Sequence, residues 1–200
     1  MKLNSYYPEP ISAWAFIEGA IPDIGTSGVT FSRISSTVVQ VNKTAHGLQD
    51  GWFVTFDALT GAQAYLNGTW PISSRTENSF QFTISGATVP AGTLTVANGM
   101  PTRIRKSFNV AKAGRIANGR YKIYFSNAMD DSDFIAIGNA VYNGQAYNGD
   151  LWNENLYLET NIGVGMIAQS TSFITMQTSY WNRSNYNVKD LHIAVIGGIN

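Results

Sequence analysis

The chain is predicted to be all-β, built from two small antiparallel β domains of sandwich or barrel type, one inserted in the other. The first observation is residues 103–134, RIRKSFNVAKAGRIANGRYKIYFSNAMDDSDF, where apolar and polar side chains alternate through Ile104, Phe108 and Val110 and again through Tyr121, Ile123 and Phe125. Asn118-Gly119 divides the two runs, so they read as one β-hairpin closed by a type I′ turn. The second is composition: aromatic residues are 12% of the chain, Gly numbers 19 and Asn is frequent, which suits strands and tight turns better than helices. The third is the turn-rich stretch Pro22-Asp23-Ile24-Gly25-Thr26-Ser27-Gly28, which separates an early strand from all that follows.

The elements follow in order. Residues 11–20, ISAWAFIEGA, place Ala13, Ala15 and Ile17 on one face of a strand and Trp14 and Phe16 on the other, so both faces want cover. After the turn-rich linker, residues 28–98 carry strands expected near 37–41, 52–57, 68–74, 79–85 and 93–96, enough for a small barrel or sandwich. The long hairpin resumes at 101, and a further strand is expected over 133–141, where Phe134, Ile135 and Ile137 lead to Gly138. Residues 142–155, YNGQAYNGDLWNEN, hold two Asn-Gly pairs and three aromatics with little aliphatic content, the pattern of a long hairpin tip or loop. Strands over 156–159, 173–178 and 191–196 complete the set.

The order Arg105-x-Ser-Phe-Asn-Val110, Asn118-Gly119, Arg120-Tyr-x-Ile-x-Phe125, then Ala128-Met-x-Asp-x-x-Phe134 resembles the C-terminal domains of tailed-phage tail-fibre and receptor-binding proteins. The ending His192-Ile-Ala-Val-Ile-Gly197 is similar to the terminal strand of that family. In the family the early Ala-Trp strand runs almost directly into the Arg-x-Ser-x-Asn-Val strand, whereas here residues 28–98 intervene. The resemblance therefore implies a discontinuous domain, 1–21 plus 101–200, interrupted by a small β-barrel module, 28–98. That module resembles one recurring in phage structural proteins, through Thr44-Ala-His-Gly-Leu48 with Gly51, Val54-Thr-Phe56, Leu66-Asn-Gly-Thr-Trp70 and Ser79-Phe-x-Phe82. Its motifs are turn and core residues.

Thirteen basic and thirteen acidic residues give no net field toward nucleic acid, membrane or acidic substrates. There is no cysteine, so neither a disulfide nor a thiolate metal site supports the fold. Residues 1–10 lack the apolar run of a secretory signal, and no segment approaches the roughly 20 apolar residues that span a bilayer. The expectation is a protein made in the host cytoplasm without membrane insertion.

Catalytic chemistry finds few candidates. The two histidines stand in a Thr-Ala-His-Gly-Leu turn (His46), where the imidazole is expected to bond nearby backbone, and at the start of a strand (His192). Asp130, Asp131 and Asp133 lack the Gly and distal Glu of a Ca²⁺ loop and read as a turn. Asp150, Glu154 and Glu159 are scattered acids without the paired geometry of glycoside cleavage, and no solenoid repeat is present. Arg103, Arg105, Lys106, Lys112, Arg115 and Arg120 cluster in sequence, but a solvated face or subunit salt bridge suits them better than a nucleic-acid surface. No catalytic residue, metal or cofactor is expected.

The most suggestive polar segments carry large rings. Tyr142, Asn143, Tyr147, Asn148 and Trp152, with a second group at Tyr180, Trp181 and Arg183, combine aromatic faces that can stack on sugars with amides that bond hydroxyls. The same rings would serve equally well buried in a trimer interface, Trp152 above all. The resemblance implies a non-enzymatic virion protein, a tail fibre or tail-tip adhesin, forming a homotrimer beside other virion proteins. It would recognise a bacterial surface polysaccharide or protein receptor. The alternatives are a capsid decoration or head-fibre protein and, last, an enzyme degrading envelope polysaccharide.

Overall fold

The computed structural model describes residues 11–85, 88–89, 93–95, 98–141, 162–180, 185 and 187–198. In chain order the strands are β1 (Ile11–Glu18), β2 (Thr30–Arg33), β3 (Val38–Asn42), β4 (Phe53–Phe56), β5 (Gly68–Pro71), β6 (Ser79–Thr83), β7 (Thr93–Thr95), β8 (Met100–Phe108), β9 (Val110–Ala117), β10 (Arg120–Phe125), β11 (Phe134–Val141), β12 (Ile162–Ser170), β13 (Phe173–Tyr180) and β14 (Asp190–Gly197). One short 3-10 helix, Gly61–Leu66, is the only helical element among the described residues. The fold is all-β, in three antiparallel sheets ordered β11-β14-β1-β8-β4-β5, β12-β13-β10-β9 and β6-β3-β2-β7.

β1 lies between β14 and β8, with Ala15 opposite both Ile193 and Ser107. Its alternation decides its orientation: Ala13, Ala15 and Ile17 are fully buried against the second sheet, which contributes Tyr121, Ile123, Ile174 and Met176 to the same core. A separate core is formed within residues 21–89, where Phe31, Phe56 and Phe82 meet edge-on or tilted at 5.5 and 5.6 Å and Trp70 stacks on Phe82 at 6.1 Å. The two cores share no residue.

Three expectations are corrected. The block 28–98 is not closed into a barrel. β4 pairs with the first residues of β8, Phe53 opposite Thr102 and Val54 opposite Pro101, so β4 and β5 extend the six-stranded sheet. The edge of β4 that closure would need is occupied by β8, and among the described residues an isolated bridge, Ser73 to Gln81, is what reaches toward β6.

The expected long strand through Phe108 and Val110 is two strands in two sheets. Asn109 has φ of 51°, a left-handed conformation that Asn tolerates better than most residues. Its Nδ2 donates to the Ser12 carbonyl at 3.1 Å and its Oδ1 accepts the Asn127 amide at 2.7 Å, so the corner is held from both sides. Across it the alternation changes face: Phe108 is 54% exposed, Val110 8%.

The Asn118-Gly119 turn is not type I′, which requires positive φ at both residues. Gly119 has φ of 65° but Asn118 is not left-handed, and the β9–β10 register shifts between Arg120 and Tyr121, the mark of a glycine bulge. The Asn118 amide donates to the Asn185 carbonyl and the Gly119 N–H to Asn187, which fixes this geometry.

Candidate interaction face

β11, β14, β1 and β8 present one side to the core and the other outward. Register sets the outward side as rows. Ile137, Ala194, Trp14 and Phe108 stand side by side on the four strands; Ile135, Ile196 and Ile11 form a second row, and Asn139, His192, Phe16 and Lys106 a third. The apolar members are left open: Ile135 is 66% exposed, Ile11 56%, Phe108 54%, Ile137 53% and Phe16 38%. Trp14 and Phe16 lie 5.4 Å apart, and His192 packs on Phe16 at 4.5 Å.

With strands spaced about 4.8 Å and successive rows about 7 Å apart, the apolar members of the three rows cover roughly 270 Å². Single exposed apolar residues are ordinary, but contiguous patches of this size on monomers commonly mark interaction sites. Sequence reasoning saw that Trp14 and Phe16 want cover. It missed Ile135, Ile137 and Phe108, although successive apolar residues at 134–137 signal a strand apolar on both sides.

Of the ring-bearing residues singled out from sequence, Tyr142, Asn143, Tyr147, Asn148, Trp152, Trp181 and Arg183 lie outside the described residues, as do Asp150, Glu154 and Glu159. Tyr180 ends β13, where its backbone pairs with Ile162.

The chemical candidates have structural occupations. His46 accepts the Leu48 N–H on Nδ1 at 3.0 Å and donates from Nε2 to the Ser79 carbonyl at 3.1 Å, a pattern that fits one neutral tautomer and bonds both ring nitrogens to backbone. Asp131 accepts the Asp133 N–H, and the Asp130 N–H donates to the Gly198 carbonyl, as in a turn. The basic residues clustered in sequence are dispersed. Arg103 pairs with Glu18 at 3.5 Å and lies over Trp52, Arg105 pairs with Asp190 at 2.6 Å, and Arg120 donates to Gln177.

Arg115 is buried, with its guanidinium on Asp23 and on the Ile21 carbonyl, so it fastens the linker that leads into the 28–98 block. The second oxygen of Asp23 accepts from Asn98, whose own carbonyl oxygen accepts the Gly25 N–H at 3.0 Å, and the Ile24 N–H bonds the Gly99 carbonyl at 3.0 Å. The segments that run into and out of the block are therefore stitched side by side. A cleft of about 450 Å³ opens beside this junction, lined by Glu18, Asp23, His46 and Trp52 among others. Its two carboxylates are those already paired with Arg103 and Arg115. No family model, curated protein or solved structure matches the chain.

Proposed function

We propose that this chain is a non-enzymatic contact protein of the tailed-phage virion, a tail-fibre or tail-tip adhesin that assembles as a homotrimer and recognises a bacterial surface glycan or protein. The observation that carries the contact reading is the open apolar face of β11, β14, β1 and β8, which water would not leave uncovered in an assembled particle. The phage assignment rests on the motif order from Arg105 to Phe134 and on the closing strand at His192 to Gly197. In this reading residues 28–98 are a guest module, supported by the separate core and by the side-by-side junction at Ile24 and Gly99.

The same face favours a second reading, a capsid decoration or head-fibre protein, because flat apolar sheet surfaces suit protein neighbours better than sugars. Light scattering on the full chain, with host-cell binding measured in parallel, separates the outcomes. The adhesin reading expects a trimer that binds host cells, and a double variant Phe108→Ser, Ile137→Ser that falls to monomer with its fold intact. A trimer that binds no host cell supports the decoration reading. A stable monomer whose behaviour is unchanged in the double variant refutes the assembly role of the face.

A further inference from the structure

A row of alternating rings and ammonium groups crosses the side of β9, β10 and β13 that faces away from the core. Tyr121 and Ile123 of β10 point inward, so Lys122 and Tyr124 point outward, and register sets Tyr124 beside Lys112 on one flank and Phe173 on the other. Lys122 Nζ lies 3.9 Å from the Phe173 ring centroid and 5.2 Å from that of Tyr124; Lys112 Nζ lies 4.6 Å from Tyr124 and 5.7 Å from Trp70. Lys112 also donates to the Thr69 carbonyl at 3.2 Å.

The two lysines differ from three of the arginines in one respect. Arg103, Arg105 and Arg115 each hold a carboxylate, whereas among the described residues neither Lys112 nor Lys122 has one within ion-pair distance. Asp57 is the acid whose field reaches Tyr124, and it is exposed. Burial, then the charge of Lys122, pulls the Lys112 pKa below its ordinary value. Two like charges are thus held together over aromatic faces, with ammonium hydrogens unspent.

We propose that Lys112, Tyr124 and Lys122 form a binding site for an acidic glycan, the ammonium groups taking its carboxylate or phosphate and the adjoining rings lying against the sugar. This rests on the adhesion reading above and names the class of glycan. The Tyr124 ring stands between the two ammonium groups, so an acidic sugar chain lying along the row would take charge-assisted hydrogen bonds from one lysine on each side of that ring. Nucleic acid is the poorer fit, because useful affinity needs several neutralised phosphates and this row offers two cations on a chain of zero net charge.

Calorimetry on the full chain tests it with four probes: polygalacturonate oligomers for carboxylate, poly(glycerol phosphate) for phosphate, neutral dextran and a single-stranded oligonucleotide. Saturable binding to one anionic glycan polymer is expected, none to dextran, with affinity reduced at least tenfold in Lys112→Met, Lys122→Met at an unchanged melting temperature. An NMR titration of the native protein, following the lysine ε-methylene signals, covers the case in which the variant fails to fold. Both lysines should shift with the bound polymer. Unmoved signals, undiminished binding by a folded double variant, or tighter binding to the oligonucleotide overturns the site. Host-cell adhesion by a protein that binds neither polymer also overturns it, while leaving the adhesion reading standing.

Discussion

The phenol of Tyr121 occupies the space in which any side chain at Gly19 would stand: a Cβ there would lie 2.5 Å from the hydroxyl oxygen and 2.6 Å from a ring carbon. Tyr121 is fully buried and its oxygen accepts the Val188 N–H at 3.1 Å, so the ring is anchored at the far end and cannot yield. Gly19 in turn donates its N–H to the Lys189 carbonyl, which ties the end of β1 to the segment leading into β14. Gly19→Ala should therefore destabilise by about 2–3 kcal/mol through overpacking. Urea denaturation monitored by circular dichroism measures it, and a loss below about 0.5 kcal/mol, the scale of surface changes, contradicts the relationship.

Alkaline pH should expose the same residue. Burial pushes the Tyr121 pKa up to about 12, against its ordinary value of 10.0. Below pH 10 the phenol is protonated in both folded and unfolded chains and its contribution is fully present. Above that the unfolded chain ionises first, so stability falls between pH 10 and 12 by ~3 kcal/mol. Denaturation at pH 9 and pH 11.5 should show about 2 kcal/mol of this loss, and Tyr121→Phe should flatten it.

Asp23→Asn leaves the buried guanidinium of Arg115 with the Ile21 carbonyl and a neutral amide. Loss of one partner of such a pair is costly because the remaining charge stays desolvated. Asp23 is itself 38% exposed, which moderates the effect, so a loss of about 1–3 kcal/mol is expected. A melting temperature equal to that of the native protein would show that the linker is not fastened by this contact.

On the proposed reading of residues 28–98 as a guest module, joining Gly25 to Asn98 through a short turn should leave the remainder folded. The Gly25 N–H already bonds the Asn98 side chain, so the cut ends lie side by side. The shortened chain does uncover Gly114 and Lys112, which face Thr55 and Thr69, and so should unfold cooperatively at a lower temperature. Calorimetry showing no cooperative transition would argue that residues 28–98 and the remainder form a single folding unit.

Much of this was legible from residue patterns. The alternation at Ala13, Ala15 and Ile17 separated the two faces of β1 without telling which turns inward, and Tyr121, Ile123 and Phe125 marked one side of β10, because side chains alternate with a period of two. β2 was missed because four residues, TFSR, with a single buried side chain carry too little pattern, and β12 because Gly163 and Gly165 dilute its alternation. The corner at Asn109 was invisible because Phe108 and Val110 continue the apolar rhythm of one strand, while the change of sheet is decided by the partners of the Asn side chain. The Lys112–Lys122 site depends on register across three strands, which no local pattern reveals. The apolar face was half legible, since Trp14 and Phe16 announced a need for cover but not the neighbours that share it.

Asn109 passes one uninterrupted polypeptide from one sheet to the other, directly beside Phe108. A neighbour gripping the six-stranded sheet at that ring would therefore pull on a covalent thread rather than on side-chain adhesion between layers. Sideways traction would have to straighten a pinned corner before the layers could slip.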